Sequence, residues 1–118
     1  MKPPFKEIIE EVWEAIDKYK HDFVLVEGKN DRAALESLGF NSVRAINANK
    51  PLYEIIEEVN EKKVLILTDL DKEGKQIYSR LKKGLESRGV FVDDTLRNLL
   101  FKTELRQVEG LYNYLKRF

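Results

Sequence analysis

The sequence lacks several features that would define its class. It contains no cysteine, which excludes disulfides and cysteine-based zinc sites and makes an intracellular, cytoplasmic location the expectation. No apolar run approaches the roughly 20 residues that a membrane-spanning helix needs, and the N-terminal stretch is amphipathic, unlike a signal peptide. We therefore expect no membrane association. The formal net charge is zero, which argues against a strongly basic nucleic-acid-binding protein.

The charges that are present are distributed unevenly along the chain. Residues 1–71 carry ten Lys and Arg against fifteen Asp and Glu, whereas residues 72–118 carry eleven against six. A basic second half is compatible with phosphate contacts on one face of the molecule. The alternative is that these lysines and arginines form ordinary solvated helix surfaces.

Hydrophobic periodicity predicts a single α/β domain over residues 1–118. Short apolar runs predict four strands, at 23–26, 42–46, 64–67 and 90–92. Helical spacing predicts helices at 5–19, about 31–38, 51–59, about 75–87 and from about 108, with a turn or short helix near 94–100. Strands that alternate with helices imply a parallel sheet, here of roughly four strands, with helices on both faces.

Acidic residues stand at the ends of two predicted strands. Glu27 ends the first strand, and Asp69 and Asp71 follow the third. If these strands are neighbours, about 4.8 Å apart, their carboxylates can share one divalent cation at the carboxyl edge of the sheet. Oxygen-only ligands favour Mg²⁺, Mn²⁺ or Ca²⁺ over zinc, and Glu73 can supply a further carboxylate. The alternative is that these acids cap the helices that follow them.

Two other classes of Asp-x-Asp site do not match the sequence around Asp69. An EF-hand calcium loop beginning there would need Glu at its twelfth position, which is Arg80, and would follow a helix instead of a strand. Haloacid-dehalogenase phosphatases usually continue the pattern with Thr or Val on the first strand, whereas Lys72 and Glu73 follow here on the third.

The two acidic motifs together resemble those of the toprim domain. The run VLVEGKND, from Val24 to Asp31, is similar to the first toprim motif, and LTDLDKEG, from Leu67 to Gly74, is similar to the second. The superfamily includes DnaG-type primases, topoisomerases, OLD-type nucleases, RecR-type recombination proteins, the bacterial 5S-rRNA maturase and stand-alone small toprim proteins. The resemblance covers about residues 20–95, which leaves an N-terminal helix and a C-terminal helical extension outside it.

The resemblance implies a role for each acid. Glu27 would act as general acid or base in nucleotidyl or phosphoryl transfer, and Asp69 and Asp71 would coordinate Mg²⁺ or Mn²⁺. The implied function is a metal-dependent nuclease or RNA-processing enzyme acting on DNA or RNA. The alternative is a non-catalytic toprim module that binds nucleic acid or a protein partner, as in RecR-type proteins.

Several basic and aromatic residues receive predictions from chemistry and spacing. Three lysines near helix N-termini suit phosphate binding, although each can equally be a solvated surface lysine: Lys29, Lys72 and Lys75. Helical spacing places Lys82 and Lys83 on roughly the same side as Lys72 and Lys75. The aromatic residues in helical patterns are expected to pack inward, with Trp13 in the core: Tyr53, Tyr78, Tyr112 and Tyr114.

Overall fold

The protein folds around one four-stranded sheet. The structure is a computed structural model that describes residues 4–46 and 49–118. The strands are β1 (Val24–Val26), β2 (Val43–Ala45), β3 (Lys63–Ile66) and β4 (Phe91–Val92). The helices are α1 (Pro4–Tyr19), α2 (Lys29–Ser37), α3 (Leu52–Glu58), α4 (Lys72–Ser87), α5 (Thr95–Phe101) and α6 (Leu111–Leu115), and a 3₁₀ turn (Val108–Gly110) precedes α6. The predicted α/β class is confirmed.

All the strand pairs are parallel, and the strand order is β2-β1-β3-β4. Val24 of β1 pairs with Val43 of β2 on one side and with Leu65 of β3 on the other. The chain therefore runs outward from β1 to β2, then crosses back to place β3 on the opposite side of β1. This reversal makes the gap between the carboxyl ends of β1 and β3 the switch point of the sheet.

Helices cover both faces of the sheet, as predicted. Side chains alternate along each strand, so Val24 and Val26 face one layer while Leu25 faces the other. The first layer contains α1, α2, α5, the 3₁₀ turn and α6, and the second contains α3 and α4. No helix in the described part of the chain has both the length and the apolar character that crossing a membrane requires.

Glycines end two of the helices, as their positions in the sequence predict. Gly39 after α2 and Gly89 after α4 have φ values of 97° and 81°, in the left-handed region that glycine adopts at least cost. After each of them, the next amide bonds back to a carbonyl of the last helical turn: Phe40 to Leu35 O and Val90 to Leu85 O, at 3.1 and 3.0 Å. These turns send the chain directly back toward the sheet.

Two predicted core residues are exposed instead. Trp13 is 41% exposed and Tyr53 is 61% exposed. The buried stripe of α1 is narrower than the sequence pattern indicated, and it consists of Ile9, Val12, Ala15, Ile16 and Tyr19. Trp13 lies one residue, about 100° of helical rotation, from Val12, and this places it at the margin of the stripe.

Candidate acidic site at the switch point

Glu27 and Asp69 meet at the switch point of the sheet. Glu27 directly follows β1, and Asp69 lies three residues beyond the end of β3. The backbone N–H of Asp69 donates a hydrogen bond to Glu27 Oε2 at 2.7 Å, across 42 residues of sequence. β1 and β3 are neighbours in the sheet, which is the condition that a shared site requires, and the contact joins the two acidic motifs.

A tight turn after β3 carries Asp69 and Asp71. Asp71 is the N-cap of α4, and its Oδ1 accepts a hydrogen bond from the Gly74 N–H at 2.8 Å. Thr68, which is fully buried, donates its hydroxyl to the Gly74 carbonyl at 2.8 Å. A Cβ on Gly74 would lie 2.0 Å from the Asp69 carbonyl oxygen, so only glycine fits there. The cap also explains why α4 begins at Lys72, three residues before the predicted start.

Asp31 provides a similar local bond in the first motif. Gly28 is the N-cap of α2, and its N–H donates to Asp31 Oδ2 at 2.9 Å. Asp31 is 7% exposed, and α2 begins at Lys29, two residues before the predicted start at about residue 31. The helix-capping alternative therefore accounts for one oxygen of Asp71, and Asp31 bonds to the cap residue of its own helix.

The C-terminal segment closes over the acids, which the sequence did not indicate. The Val108 N–H donates to Asp69 Oδ1 at 2.8 Å, and the Leu70 N–H donates to the Arg106 carbonyl at 2.8 Å. Glu109, next to Val108, faces α2, where Asn30 Nδ2 lies 3.5 Å from its Oε2. Local patterns carry no signal for these contacts, because the Val108–Asp69 pair is 39 residues apart in sequence.

Five carboxylates share one electrostatic environment, and we call them the acidic cluster: Glu27, Asp31, Asp69, Asp71 and Glu109. Burial is the largest influence on Glu27, and with the negative charges of Asp69, Asp31 and Asp71 it raises the pKa of that carboxyl. Burial, followed by the charges of Asp71 and Glu109, raises the pKa of Asp69. The pKa of Asp31 is raised by burial, with the charges of Asp69 and Glu109 adding to it. The cluster therefore gathers negative charge that its backbone hydrogen bonds only partly offset.

The donor set of the cluster suits a hard divalent cation. Glu27, Asp69 and Asp71 each use one carboxylate oxygen to accept a backbone N–H, and no described residue donates a hydrogen bond to the other. Within residues 4–46 and 49–118, no group of three acidic, histidine or cysteine side chains converges as it stands on a common ion position. The oxygens left without a protein donor are of the kind that hard divalent cations prefer, and Mg²⁺ usually takes several of its ligands from water.

Glu73, the fourth predicted ligand, lies outside the cluster. It is exposed in the first turn of α4, and its charge is not among the largest influences on the pKa of Glu27, Asp31 or Asp69. Asp71 is already the cap of that helix, so the chain turns away from the switch point before it reaches Glu73. The structure thus places Glu27, Asp69 and Asp71 within electrostatic reach of one another and leaves Glu73 outside that group.

The predicted phosphate-binding lysines flank the cluster at helix N-termini. Lys29 is the first residue of α2 and Lys72 the first of α4, and both are exposed. Lys75 is exposed one turn into α4, with its Nζ 5.3 Å from the centre of the Phe101 ring. Lys82 lies seven residues after Lys75 on the side of α4 that faces α5, and its ammonium is held in a 2.7 Å ion pair with Asp94 at the start of α5.

Arg97 is a further residue of the site that sequence analysis missed. It lies on α5 between buried Leu96 and Leu100, is 2% exposed, and donates to main-chain carbonyls beside Asp69. A charged residue between apolar positions of a short helix was the available signal. That signal alone does not distinguish a buried arginine from an exposed one.

Comparison with known proteins identifies relatives that cover most of the chain. A UPF0292 protein of Methanocaldococcus jannaschii is 29% identical over 119 residues, which is 96% of this chain and 93% of the relative. A UPF0292 protein of Pyrococcus abyssi is 34% identical over 113 residues, 89% of this chain and 86% of the relative. A solved structure of a protein from Aquifex aeolicus superimposes with a TM-score of 0.70 and 31% identity, covering 93% of this chain and 99% of that one. No family model matches the chain.

Proposed function

The chain belongs to the UPF0292 family, and from the acids at its switch point we propose that it is a toprim-like protein that binds Mg²⁺ or Mn²⁺ and acts on nucleic-acid phosphodiesters. The proposed activity is that of a nuclease or RNA-processing enzyme. The observation that carries the proposal is the 2.7 Å contact between Glu27 and the Asp69 amide, which joins both acidic motifs at the place where parallel sheets bind ligands.

In this proposal each acid has a separate role. Asp69 and Asp71 hold the cation through the oxygens that do not accept a backbone N–H. The bound cation would supply positive charge to a phosphate oxygen and to the developing negative charge of the reaction. Glu27 takes a proton from the attacking water as general base, or gives one to the leaving oxygen of the phosphodiester as general acid. Burial raises its pKa toward the range in which a general acid or base is effective.

The lysines at the helix N-termini would hold the nucleic-acid backbone on either side of the reacting phosphate. Lys29 and Lys72 begin the two helices that follow the acidic motifs, so positive helix ends and ammonium groups point to the same edge. These contacts recognise phosphate and carry no base information, so we propose sequence-independent binding.

The test is turnover of labelled single-stranded and duplex DNA and RNA with Mg²⁺ or Mn²⁺, by the parent and by Glu27→Gln. A general acid or base contributes about 10² to 10⁴ in rate, and we expect a loss of that size with little change in metal affinity. Glu86→Gln, an exposed acid at the far end of α4, is the matched control. Full activity in Glu27→Gln would remove Glu27 from the mechanism.

A second candidate is a non-catalytic module that binds nucleic acid or a protein partner. The observation in its favour is that Glu27, Asp31, Asp69 and Asp71 each already accept a backbone hydrogen bond, which is a structural task. Metal-dependent binding without turnover of any substrate in the panel would favour this candidate over the enzyme.

A further inference from the structure

Arg97 is a buried cation whose hydrogen bonds all go to the main chain at the end of β3. Its side chain donates from Nη1 to the Thr68 carbonyl at 2.7 Å and to the Ile66 carbonyl at 3.4 Å. Its Nη2 donates to the Asp69 carbonyl at 3.2 Å. The guanidinium thus binds three carbonyls around the turn that carries the second acidic motif.

Two aromatic rings hold the Arg97 guanidinium in position. Its central carbon lies 4.3 Å from the centre of the Tyr78 ring and 5.2 Å from that of Phe101. Tyr78 belongs to α4 and Phe101 to α5, so the guanidinium is held between two helices of opposite layers. A planar group with several fixed donors suits this position better than a lysine ammonium would.

The charge of Arg97 has no close carboxylate partner. Among the described residues, no ion pair within 4.0 Å includes Arg97. Burial disfavours the charged form of the guanidinium and lowers its pKa. The negative charges that act on it from a longer distance include Asp94, Glu27 and Asp69. Two of these acids, Glu27 and Asp69, belong to the acidic cluster, so the cluster contributes to the electrostatic attraction on the buried guanidinium.

One peptide group connects Arg97 to Glu27. The carbonyl oxygen of the Thr68–Asp69 peptide accepts from Arg97, and the N–H of the same peptide donates to Glu27 Oε2. A cation at the carbonyl end polarises the peptide and strengthens the hydrogen bond at its N–H end. The orientation of this peptide also determines where the Asp69 side chain begins.

We infer that Arg97 is a positioning residue for the acidic cluster: by fixing the Thr68–Asp69 peptide, it sets the position of the Asp69 carboxylate and amide relative to Glu27 and Val108. Its importance for metal binding rests on the proposed function. The positioning itself concerns the metal-free protein and is measured there.

The first test is amide hydrogen exchange of the metal-free protein at Asp69 and Val108, whose N–H groups bond to Glu27 and Asp69. In Arg97→Lys, which keeps the charge but not the fork of donors, we expect exchange at both amides to be at least about tenfold faster. The amides of Val24 and Leu65, which bond to carbonyls of residues 42 and 23 and whose peptides do not contact Arg97, serve as internal references. Arg97→Met removes the charge as well and is expected to have a larger effect.

The matched control is Lys82→Met, which breaks the ion pair with Asp94 beside the same aromatic ring. This control is expected to speed exchange no more at Asp69 and Val108 than at Val24 and Leu65. Arg97→Lys is chosen as the milder variant in case Arg97→Met does not fold. Equal changes at the site and reference amides in Arg97→Lys would overturn the inference.

The second test is Mn²⁺ affinity measured by electron paramagnetic resonance. We expect Arg97→Lys to weaken binding about tenfold, the scale typical of residues that orient metal ligands, while Lys82→Met leaves affinity unchanged. Parent-level Mn²⁺ affinity in Arg97→Lys would overturn the importance of positioning for the metal. Absence of Mn²⁺ binding by the parent would overturn the proposed function, whereas the exchange experiment would still decide the positioning role.

Discussion

Glu27 accepts a 2.7 Å hydrogen bond from the backbone N–H of Asp69, so the carboxylate at the end of β1 fixes the position of the backbone that follows β3. The same contact places the Glu27 charge next to that of Asp69, and each residue has its pKa raised within the cluster. A bond that orders the sheet edge therefore also concentrates negative charge there. Four predictions follow from this arrangement and its surroundings.

The first prediction concerns pH and the stability of the metal-free protein. Because folding raises the pKa of Glu27 above its ordinary value of 4.5, the folded state binds its proton more tightly than the unfolded state. This stabilisation is complete below the ordinary value and is lost as pH rises through the folded value. Glu27→Gln has no such loss, so its melting temperature relative to the parent should increase as pH rises above the ordinary value of 4.5.

Glu58→Gln provides a control of opposite sign for that experiment. Hydrogen bonds from Lys50 and then Arg44 hold the pKa of Glu58 below its ordinary value, so its contribution is present above that value and is lost as pH falls. The melting temperature of Glu58→Gln relative to the parent should therefore decrease as pH rises. The same direction of change in both variants would contradict the assignment of Glu27.

The second prediction concerns the cation. Asp69→Asn combined with Asp71→Asn retains oxygens that accept the Val108 and Gly74 amides but removes two charges. We expect Mn²⁺ binding, followed by electron paramagnetic resonance, to be abolished, and the free energy of unfolding of the metal-free variant to equal or exceed that of the parent. Asp93→Asn, which alters another acid that caps a turn after a strand, should bind Mn²⁺ normally. Unchanged binding in the double variant would exclude this site.

The third prediction concerns Gly74. Alanine there would place its Cβ 2.0 Å from the Asp69 carbonyl oxygen, and main-chain atoms cannot move aside cheaply. We expect Gly74→Ala to lower the free energy of unfolding by at least about 2 kcal/mol in a denaturant titration. Gly110→Ala, whose Cβ would lie 3.7 Å from its nearest neighbour, is the control and should change stability much less. Equal stability of the two variants would show that the turn relaxes.

The fourth prediction concerns phosphate contacts along α4. Lys72 and Arg80 line the same exposed depression next to the cluster, whereas Lys82 is paired with Asp94. If the parent binds single-stranded RNA or DNA with Mg²⁺, Lys72→Glu with Arg80→Glu should reduce the log–log salt slope by about two. Lys82→Gln should leave the slope unchanged. A slope unaffected by the double substitution would place the nucleic acid elsewhere.

The sequence was informative where the signal is local. Apolar runs located all four strands, and acids directly after two of them indicated the functional edge, because parallel strands present their carboxyl ends together. Gly39 and Gly89 marked helix ends for a conformational reason that holds in any fold. These predictions depend only on residues that are close in sequence, which is why the structure agrees with them.

The remainder of the site depends on contacts between distant segments. Nothing near Val108 indicates that its amide meets Asp69, and nothing near Arg97 indicates that its guanidinium reaches the carbonyl of Thr68. Lys82 is a further example, since helical spacing placed it on the side of Lys75 but did not indicate that Asp94, twelve residues later, pairs with it. Packing between elements determines which side chains become partners, and the periodicity within one element carries no information about that packing.

The contact between Val108 and Asp69 also has a consequence for the order in which the protein acquires its site. The Glu27 carboxylate bonds to the amide of Asp69, 42 residues later, and the Asp69 carboxylate bonds to the amide of Val108, a further 39 residues along the chain. Loops of that length close late in folding, after local helices have formed. During synthesis, a ribosome-bound chain that has emerged only as far as α5 carries every acid of both motifs but not the amide that fixes Asp69. The assembled cluster is thus a marker of a completed fold.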